Sequence, residues 1–406
     1  MKPRLKKHIL VISQCFYPEQ FRINDICKEW VKRGYKVTVL TSIPNYPEGK
    51  FYQGYGYFKK RKEKYKGINI IRVPVIPRGN NSFTLILNYI SFVISGILWG
   101  LFTSIKADYV FMNETSPIFQ ALPGVFYAKK NKIPGYIYVQ DLWPDTLEAL
   151  TNFDHPLIIK FVDLIVDYVY SSCDKIFTTS RSFVDSIAKR GVEKEKLEYL
   201  PQYAEEFYKP IQISEKEEIN KDKFNITFAG NIGYAQGLDI LLDVTSKLKK
   251  QNLEKKVVFN IIGDGRYKEE LITEVENNNL NQTFNFIDRK PAKEIPEYMA
   301  VSDAALLTLT DNSLFNMSVP AKLQSYMACG VPVIAAVNGE SRKIIKEAEA
   351  GLCSETGDDE ELANNIIQLL NKNKKELKKM GDNSRNYYED NFDKETLLDQ
   401  LDKYFS

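Results

Sequence analysis

At 406 residues, 44% hydrophobic and 27% charged, the chain is too long for one ordinary core and too apolar to stay disordered, so two folded domains are expected. Five scattered cysteines and two histidines without metal-ligand spacing exclude a disulfide framework and a zinc site, and they fit a reducing compartment. Net charge is +2, yet residues 1–205 hold 29 Lys and Arg against 19 Asp and Glu, a surplus of +10, leaving −8 for the remainder. A basic half faces something anionic.

In chain order, the basic N-terminus runs into only a short apolar strand, which does not read as a signal peptide. Strands are expected at His8–Gln14, Lys36–Ser42, Ile68–Pro74, Tyr109–Glu114, Gly135–Asp141 and Lys175–Ser180, with a helix from Asn24 to Lys32 that Gly34 stops. Residues 51–66 combine aromatic rings with a basic run, a composition that suits an anionic bilayer interface and equally a solvated loop. From 79 to 105 no charge occurs, which is long enough to span a membrane. Strands of one sheet lie before and after this stretch, and Asn88, Ser91 and Ser95 share a face near Gly96. A helix packed within the first domain, partly exposed to lipid, is therefore expected rather than a span.

The polar stretch Glu205–Lys223 reads as a linker. Beyond it strands are expected at Ile226–Gly230, Val257–Gly263, Phe284–Ile287, Ala304–Leu309 and Val331–Ala336, alternating with helices such as Leu238–Leu248. Alternation of this kind predicts two doubly wound α/β domains with parallel sheets, whose ligands lie at the carboxyl ends of strands in the cleft the domains face. Gly230-Asn231-Ile232-Gly233 and Gly263-Asp264-Gly265 are turns that let backbone amides approach a phosphate. In Asn316–Ala336, Ser318 can cap a helix with Pro320 in its first turn, Gly330 stops it, and Lys322 adds charge to the free N–H groups. That is a seat for a phosphate ester. The amphipathic stretch Glu395–Tyr404 closes the chain as a helix.

Met327-Ala328-Cys329-Gly330-Val331-Pro332-Val333 resembles the tail of the donor-binding helix in retaining GT-B glycosyltransferases of family 4. The two glutamates of that family pattern fall on Met317 and Ser325, and its Arg and Lys are absent from Gly230–Gly237. Gly-Asn-Ile-Gly-x-Ala-Gln, the run Tyr17–Asp25, Ile43–Pro47 and Asp141-Leu142-Trp143-Pro144-Asp145 are similar to the WbuB-like subgroup, associated with N-acetylfucosamine transfer in O-antigen and capsule assembly. The resemblance covers nearly the whole chain. It implies a GT-B fold of two Rossmann-like domains, 1–205 completed by a C-terminal helix from about 388, and 206–387.

It also implies a retaining transfer from a nucleoside-diphosphate sugar, UDP first, to a polyprenyl-diphosphate-linked saccharide, with no cofactor, metal or nucleic acid. Taken together, the uncharged helix, residues 51–66 and the +10 half favour monotopic membrane attachment, expected at the cytoplasmic face of the bacterial inner membrane. Asp141 and Lys322 are expected to be catalytic. Gly230, Asn231, Gly233, Gln236, Gly263, Arg289, Ser318, Ser325 and Glu340 are expected at the donor, with Lys322 and Arg289 replacing the missing cations. Glu19, Arg22, Asn24 and Trp143 are expected at the acceptor, where Arg22 can grip a phosphate. Asn24 can equally be a helix cap, and Trp143 simple packing. A sugar-nucleotide 2-epimerase of the same fold and a non-catalytic sugar-nucleotide-binding protein remain the alternative readings.

Overall fold

The computed structural model describes residues 7–79, 81–150 and 155–405; the first six residues, part of the basic N-terminus, lie outside them. The chain divides into two compact units, Met1–Leu200 with Leu398–Ser406, and Pro201–Leu397. In the first, the order is β1 (His8–Ile12), α1 (Arg22–Lys32), β2 (Lys36–Ser42), β3 (Lys62–Tyr65), β4 (Ile68–Val73), α2 (Ser82–Phe102), β5 (Tyr109–Glu114), α3 (Leu122–Asn131), β6 (Gly135–Val139), α4 (Asp145–Leu150), α5 (Pro156–Ser171), β7 (Lys175–Thr178), α6 (Arg181–Lys189) and β8 (Leu197–Tyr199). The second continues with β9 (Phe224–Asn231), α7 (Ile240–Lys250), β10 (Val257–Asp264), α8 (Lys268–Asn277), β11 (Phe284–Ile287), α9 (Ile295–Ala300), β12 (Ala304–Thr308), α10 (Ser313–Met317), α11 (Ala321–Ala328), β13 (Val333–Ala336), α12 (Gly339–Glu347), β14 (Gly351–Ser354), α13 (Asp359–Leu370), α14 (Lys374–Phe392) and α15 (Lys394–Asp402).

The first sheet runs β3-β4-β2-β1-β5-β6-β7-β8 and the second β11-β10-β9-β12-β13-β14. Among the described residues, the strands of both sheets pair in parallel except β3 with β4. Runs such as His-Ile-Leu-Val-Ile in β1 are buried along their whole length, because parallel strands are covered on both faces. Steps from β4 to β5, β5 to β6 and β6 to β7 cross the sheet in one direction, so right-handed connections set α2, α3 and α5 on the same face.

Three strands were not expected from the sequence: β3, β8 and β14. Each lies at a sheet edge, where one side of the ladder is open and the apolar run weakens. Strand β3 falls inside the aromatic–basic segment, and Arg72 of β4 explains its position. The Arg72 guanidinium is buried, 2.8 Å from Glu63 of β3, and donates to the carbonyls of Tyr17 (2.7 Å) and Lys60 (3.1 Å). Tyr55 covers it at 4.8 Å, and Tyr65 stacks on Tyr17 at 3.7 Å. The segment is thus fastened to the sheet edge, with Phe58 left fully outside.

Residues 205–223 are not a free tether. Ile219 enters the core of the second unit, Glu218 pairs with Lys290 at 2.7 Å, and the Asn285 amide donates to the Glu218 carbonyl. The chain returns to the first unit at Leu398, later than the expected 388, because α14 belongs to the second: Phe392 is buried in its core and Ser384 donates to the Val331 carbonyl at 3.0 Å. Phe405 then enters a cluster of Trp30, Tyr109, Phe111 and Tyr136 in the first unit.

Helix α2 packs inward through Asn88, Phe92, Gly96 and Gly100. The Asn88 side chain accepts from Gln14 at 2.7 Å and donates to the Ile76 carbonyl at 2.6 Å. A Cβ at Gly96 would lie 2.7 Å from Pro123 of α3, so only glycine lets the two helices meet there.

Candidate functional site

In the second unit the site grows from the carboxyl end of β9. Helix α11 is fixed against it by Tyr326, whose hydroxyl accepts from the Ala229 N–H at 3.0 Å and donates to the Ala229 carbonyl at 3.3 Å. From α14, Arg385 donates to the Ala328 carbonyl at 2.7 Å and so braces the far end of α11. This clamp sets Lys322, the second residue of α11, directly over Gly230. Its Nζ lies 4.0 Å from the Phe228 ring centroid and donates to Oε1 of Gln236. A Cβ at Gly230 would stand only 3.6 Å from Nζ. Gln236 is presented by a turn that Gly237 closes in the left-handed region, φ +58°.

Burial among these groups lowers the Lys322 pKa to about 7, although the side chain keeps a partial opening to solvent. A buried ammonium with one neutral oxygen partner beside a helix N-terminus is poised to be completed by an anion. Asn231 is exposed at the same strand end, and the Gly233 turn folds over its amide.

Several expected donor residues sit otherwise. Ser318 does not cap α11. It ends α10, its hydroxyl donates to the Leu314 carbonyl at 2.8 Å, and Pro320 stands at the N-cap with no side-chain bond. Ser318 stands two residues before the N-cap and its hydroxyl is spent on the preceding helix, so the first N–H groups of α11 keep no side-chain cap. The Ser325 hydroxyl turns back to the Ala321 carbonyl, 3.1 Å away within its own helix. Gly263 pairs with Gly230 across the two strands, and its missing Cβ makes room for the Gly230 carbonyl, which a Cβ would meet at 1.9 Å. That glycine is what lets the two strand ends approach so closely. Glu340 is buried in the first turn of α12, after β13. Arg289 is exposed beyond β11, two strands from β9 and so roughly 10 Å off at sheet spacing.

In the first unit, Asp141 lies just past the end of β6. Burial raises its pKa to about 6, against the opposing hydrogen bond from the Ser116 hydroxyl. Ser116 also accepts from Nε1 of Trp143 at 3.1 Å. Trp143 is itself buried against Phe119, so it is packed as a support for Ser116 and Asp141 rather than laid open as a wall. Behind Asp141, Glu114 ends β5 fully buried; burial first, then the Asp141 charge, raises its pKa well above the carboxylate range. A carboxylate titrating near 6 can take a proton or hydrogen bond at neutral pH.

Glu19 is also buried, and both its oxygens are used inside the protein. One accepts from the N–H groups of Asn45 (2.8 Å) and Tyr46 (2.7 Å), the other from Phe16 (3.2 Å). It staples two loops at the carboxyl ends of β1 and β2, and burial raises its pKa. Asn24 donates to the Glu19 carbonyl at 2.6 Å, and Arg22 opens α1. Sequence reasoning missed Tyr326, Ser116, Glu114 and Phe228. Tyr326 reads as one more apolar helix position beside Leu323 and Met327, and Ser116 as an ordinary pre-proline turn.

Residues 211–387 match the family described as glycosyl transferases group 1, and residues 20–202 match the glycosyl transferase 4-like domain. Among curated proteins, WcaI of Escherichia coli K12, provisionally named a colanic acid biosynthesis glycosyl transferase, is 23% identical over 97% of this chain and 98% of its own. Among solved structures, sucrose-phosphate synthase from Thermosynechococcus elongatus superposes with a TM-score of 0.74 at 14% identity, covering 98% of both chains. Anabaena HepE in complex with UDP gives 0.68 at 16% identity, covering 98% of this chain and 99% of that one. With a group 1 glycosyl transferase domain in one unit, a 4-like domain in the other and these two parallel-sheet folds, the chain is a glycosyltransferase of the GT-B type.

Proposed function

We propose that the protein transfers a sugar from a nucleoside diphosphate, UDP in the first instance, to a polyprenyl-diphosphate-linked saccharide in the assembly of a surface polysaccharide of capsule or O-antigen type. The observation that carries the donor half is Lys322, held over Gly230 beside the N-terminus of α11 by the neutral amide of Gln236 and the ring of Phe228. A diphosphate leaving group supplies the anion this arrangement lacks, and the lysine offsets the charge that develops as the glycosidic bond breaks. The UDP in the HepE complex and the colanic acid role in the name of WcaI support the donor class and the polysaccharide setting. Similarity to the WbuB-like motifs favours an N-acetylated 6-deoxyhexosamine.

Asp141 accepts the hydrogen bond of the acceptor hydroxyl, and Ser116 and Trp143 position it. Attack on the sugar face that the diphosphate leaves gives retention. Lys322, not a metal ion, supplies the positive charge, so a chelator should leave turnover intact. The setting proposed is the cytoplasmic face of the inner membrane.

The test is a panel of labelled nucleotide sugars with a polyprenyl-diphosphate-GlcNAc acceptor, scored for label in the lipid fraction and for anomeric configuration. Lys322→Met is expected to lower turnover about 10²–10³-fold with the fold intact. Near-normal turnover of that variant would refute the role. Isomerised free nucleotide sugar without transfer would replace the proposal with the epimerase reading.

A further inference from the structure

Helices α2 and α5 each carry an apolar stripe that the protein leaves open. On α2 the stripe is Ile86, Ile90, Ile94, Leu98 and Leu101, recurring every three or four residues on the side opposite Asn88, Phe92 and Gly96. On α5 it is Leu157, Phe161, Leu164 and Tyr168, opposite the buried Val162, Val166 and Val169. Leu157 is 72% exposed and Leu164 62%, far beyond what an isolated surface leucine needs explained. Both helices lie on one face of the same sheet, flanking α3, so the two stripes point outward together.

The end of α3 ties them. Lys129 sits over the Tyr168 ring of α5 at 4.3 Å, and the neighbouring Lys130 donates to the Gly100 and Leu101 carbonyls of α2 at 2.9 and 2.6 Å. Lys132 and Lys160 are exposed close by in the chain. The acidic residues of α5 do not oppose this charge, since Asp163 and Asp167 are both paired with Arg190 of α6, at 2.7 and 2.9 Å.

We propose that α2 and α5 form one bilayer-seated face, bridged by α3, that holds the first unit on an anionic membrane. The chemistry favours lipid over a protein partner. Protein interfaces concentrate Tyr, Trp and Arg at their centres, whereas the middle of the α2 stripe is aliphatic, its phenylalanines Phe83 and Phe102 stand at the two ends, and the polar margin is lysine. Helix α2 is long and apolar enough to cross a membrane. It nevertheless lies in the interface, because Asn88 and Ser91 hold Ile76 and Gln14 of the domain, bonds that a spanning helix would have to leave unmade in hydrocarbon. The two stripes enter the headgroup–acyl boundary with their long axes along it. This face goes beyond the transferase reading and stands without it.

The full-length protein is to be floated with vesicles of phosphatidylglycerol and phosphatidylethanolamine, and separately of phosphatidylcholine alone, with no donor present. Wild type is expected to float with the anionic vesicles. Ile90→Glu and Leu164→Glu should each lower the bound fraction about tenfold or more. Both sites are exposed, so the melting temperature should hold; Ile90→Ser and Leu164→Ser give the same readout if a glutamate disturbs its helix. Lys132→Gln with Lys160→Gln should weaken anionic binding more than neutral binding. Failure of the wild type to float overturns the proposal. Full binding by the Leu164 variants removes α5 from the face and overturns it too. A dimer that Ile90→Glu dissociates, and that vesicles do not compete away, would assign the face to a second copy instead.

Discussion

Lys322 is where charge and chemistry meet in the second unit, and its lowered pKa has a sign that can be read. In the free protein it is charged below about pH 7 and largely neutral above. Binding a diphosphate favours the charged form, so above that pH each donor bound takes up a proton. Donor affinity should be level below about pH 7 and weaken by up to about tenfold per pH unit above it. Calorimetry in buffers of different ionisation heat measures both the slope and the proton, and an unchanged dissociation constant between pH 7 and 9 would contradict it. The same shift costs stability: the penalty is complete below about pH 7 and shrinks as pH rises towards the ordinary lysine value. Lys322 was legible in the sequence because a lone cation stands near a helix start beside a glycine-rich strand end. Ser318 was misread as the cap because the short helix before it, which takes its hydroxyl, has no periodic signal in the sequence. Glu19 looked available for the same kind of reason: three backbone amides that consume its oxygens come from loops whose approach no local pattern reveals.

At the scale of elements, strands with continuous apolar runs were readable and the edge strands were not. Strand β3, Lys-Glu-Lys-Tyr, carries no apolar alternation; it exists because buried Arg72 needs Glu63. Arg72→Met should therefore cost about 3 kcal/mol, the low end for breaking a buried ion pair since Glu63 keeps some contact with water. Urea denaturation gives the magnitude. Limited proteolysis should then cut first between 56 and 62, and wild-type resistance of that segment in the variant would count against the fastening role. Helix α2 shows the opposite limit of sequence reading. Its uncharged length was evident, but which side stays open depends on Pro123 and Ile76, contributed by other elements.

Across the whole molecule, alternating strands and helices made two α/β halves legible, whereas the points of division did not follow polarity. The polar stretch 205–223 is bound into the second unit through Glu218 and Ile219, and α14 stays there through Ser384 and Phe392. From Leu398 the chain returns to the first unit, where Leu398 and Phe405 are both fully buried. Phe405→Ala should destabilise the first unit by about 3–5 kcal/mol. Calorimetry would then show one transition moved down and the other kept, and two unmoved transitions would deny Phe405 that role.

The place of Phe405 also fixes an order of events during synthesis. The ring that fills the pocket of Trp30, Tyr109 and Phe111 is translated after the whole second unit. At about 5–20 residues per second, the roughly 200 residues between Leu200 and Leu398 take on the order of 10–40 s to appear. For that interval the first unit exists on the ribosome with its aromatic pocket unfilled and its apolar helices already made. A nascent chain in that state presents greasy surface before its own core is closed, so membrane contact or chaperone capture competes with completion of the fold.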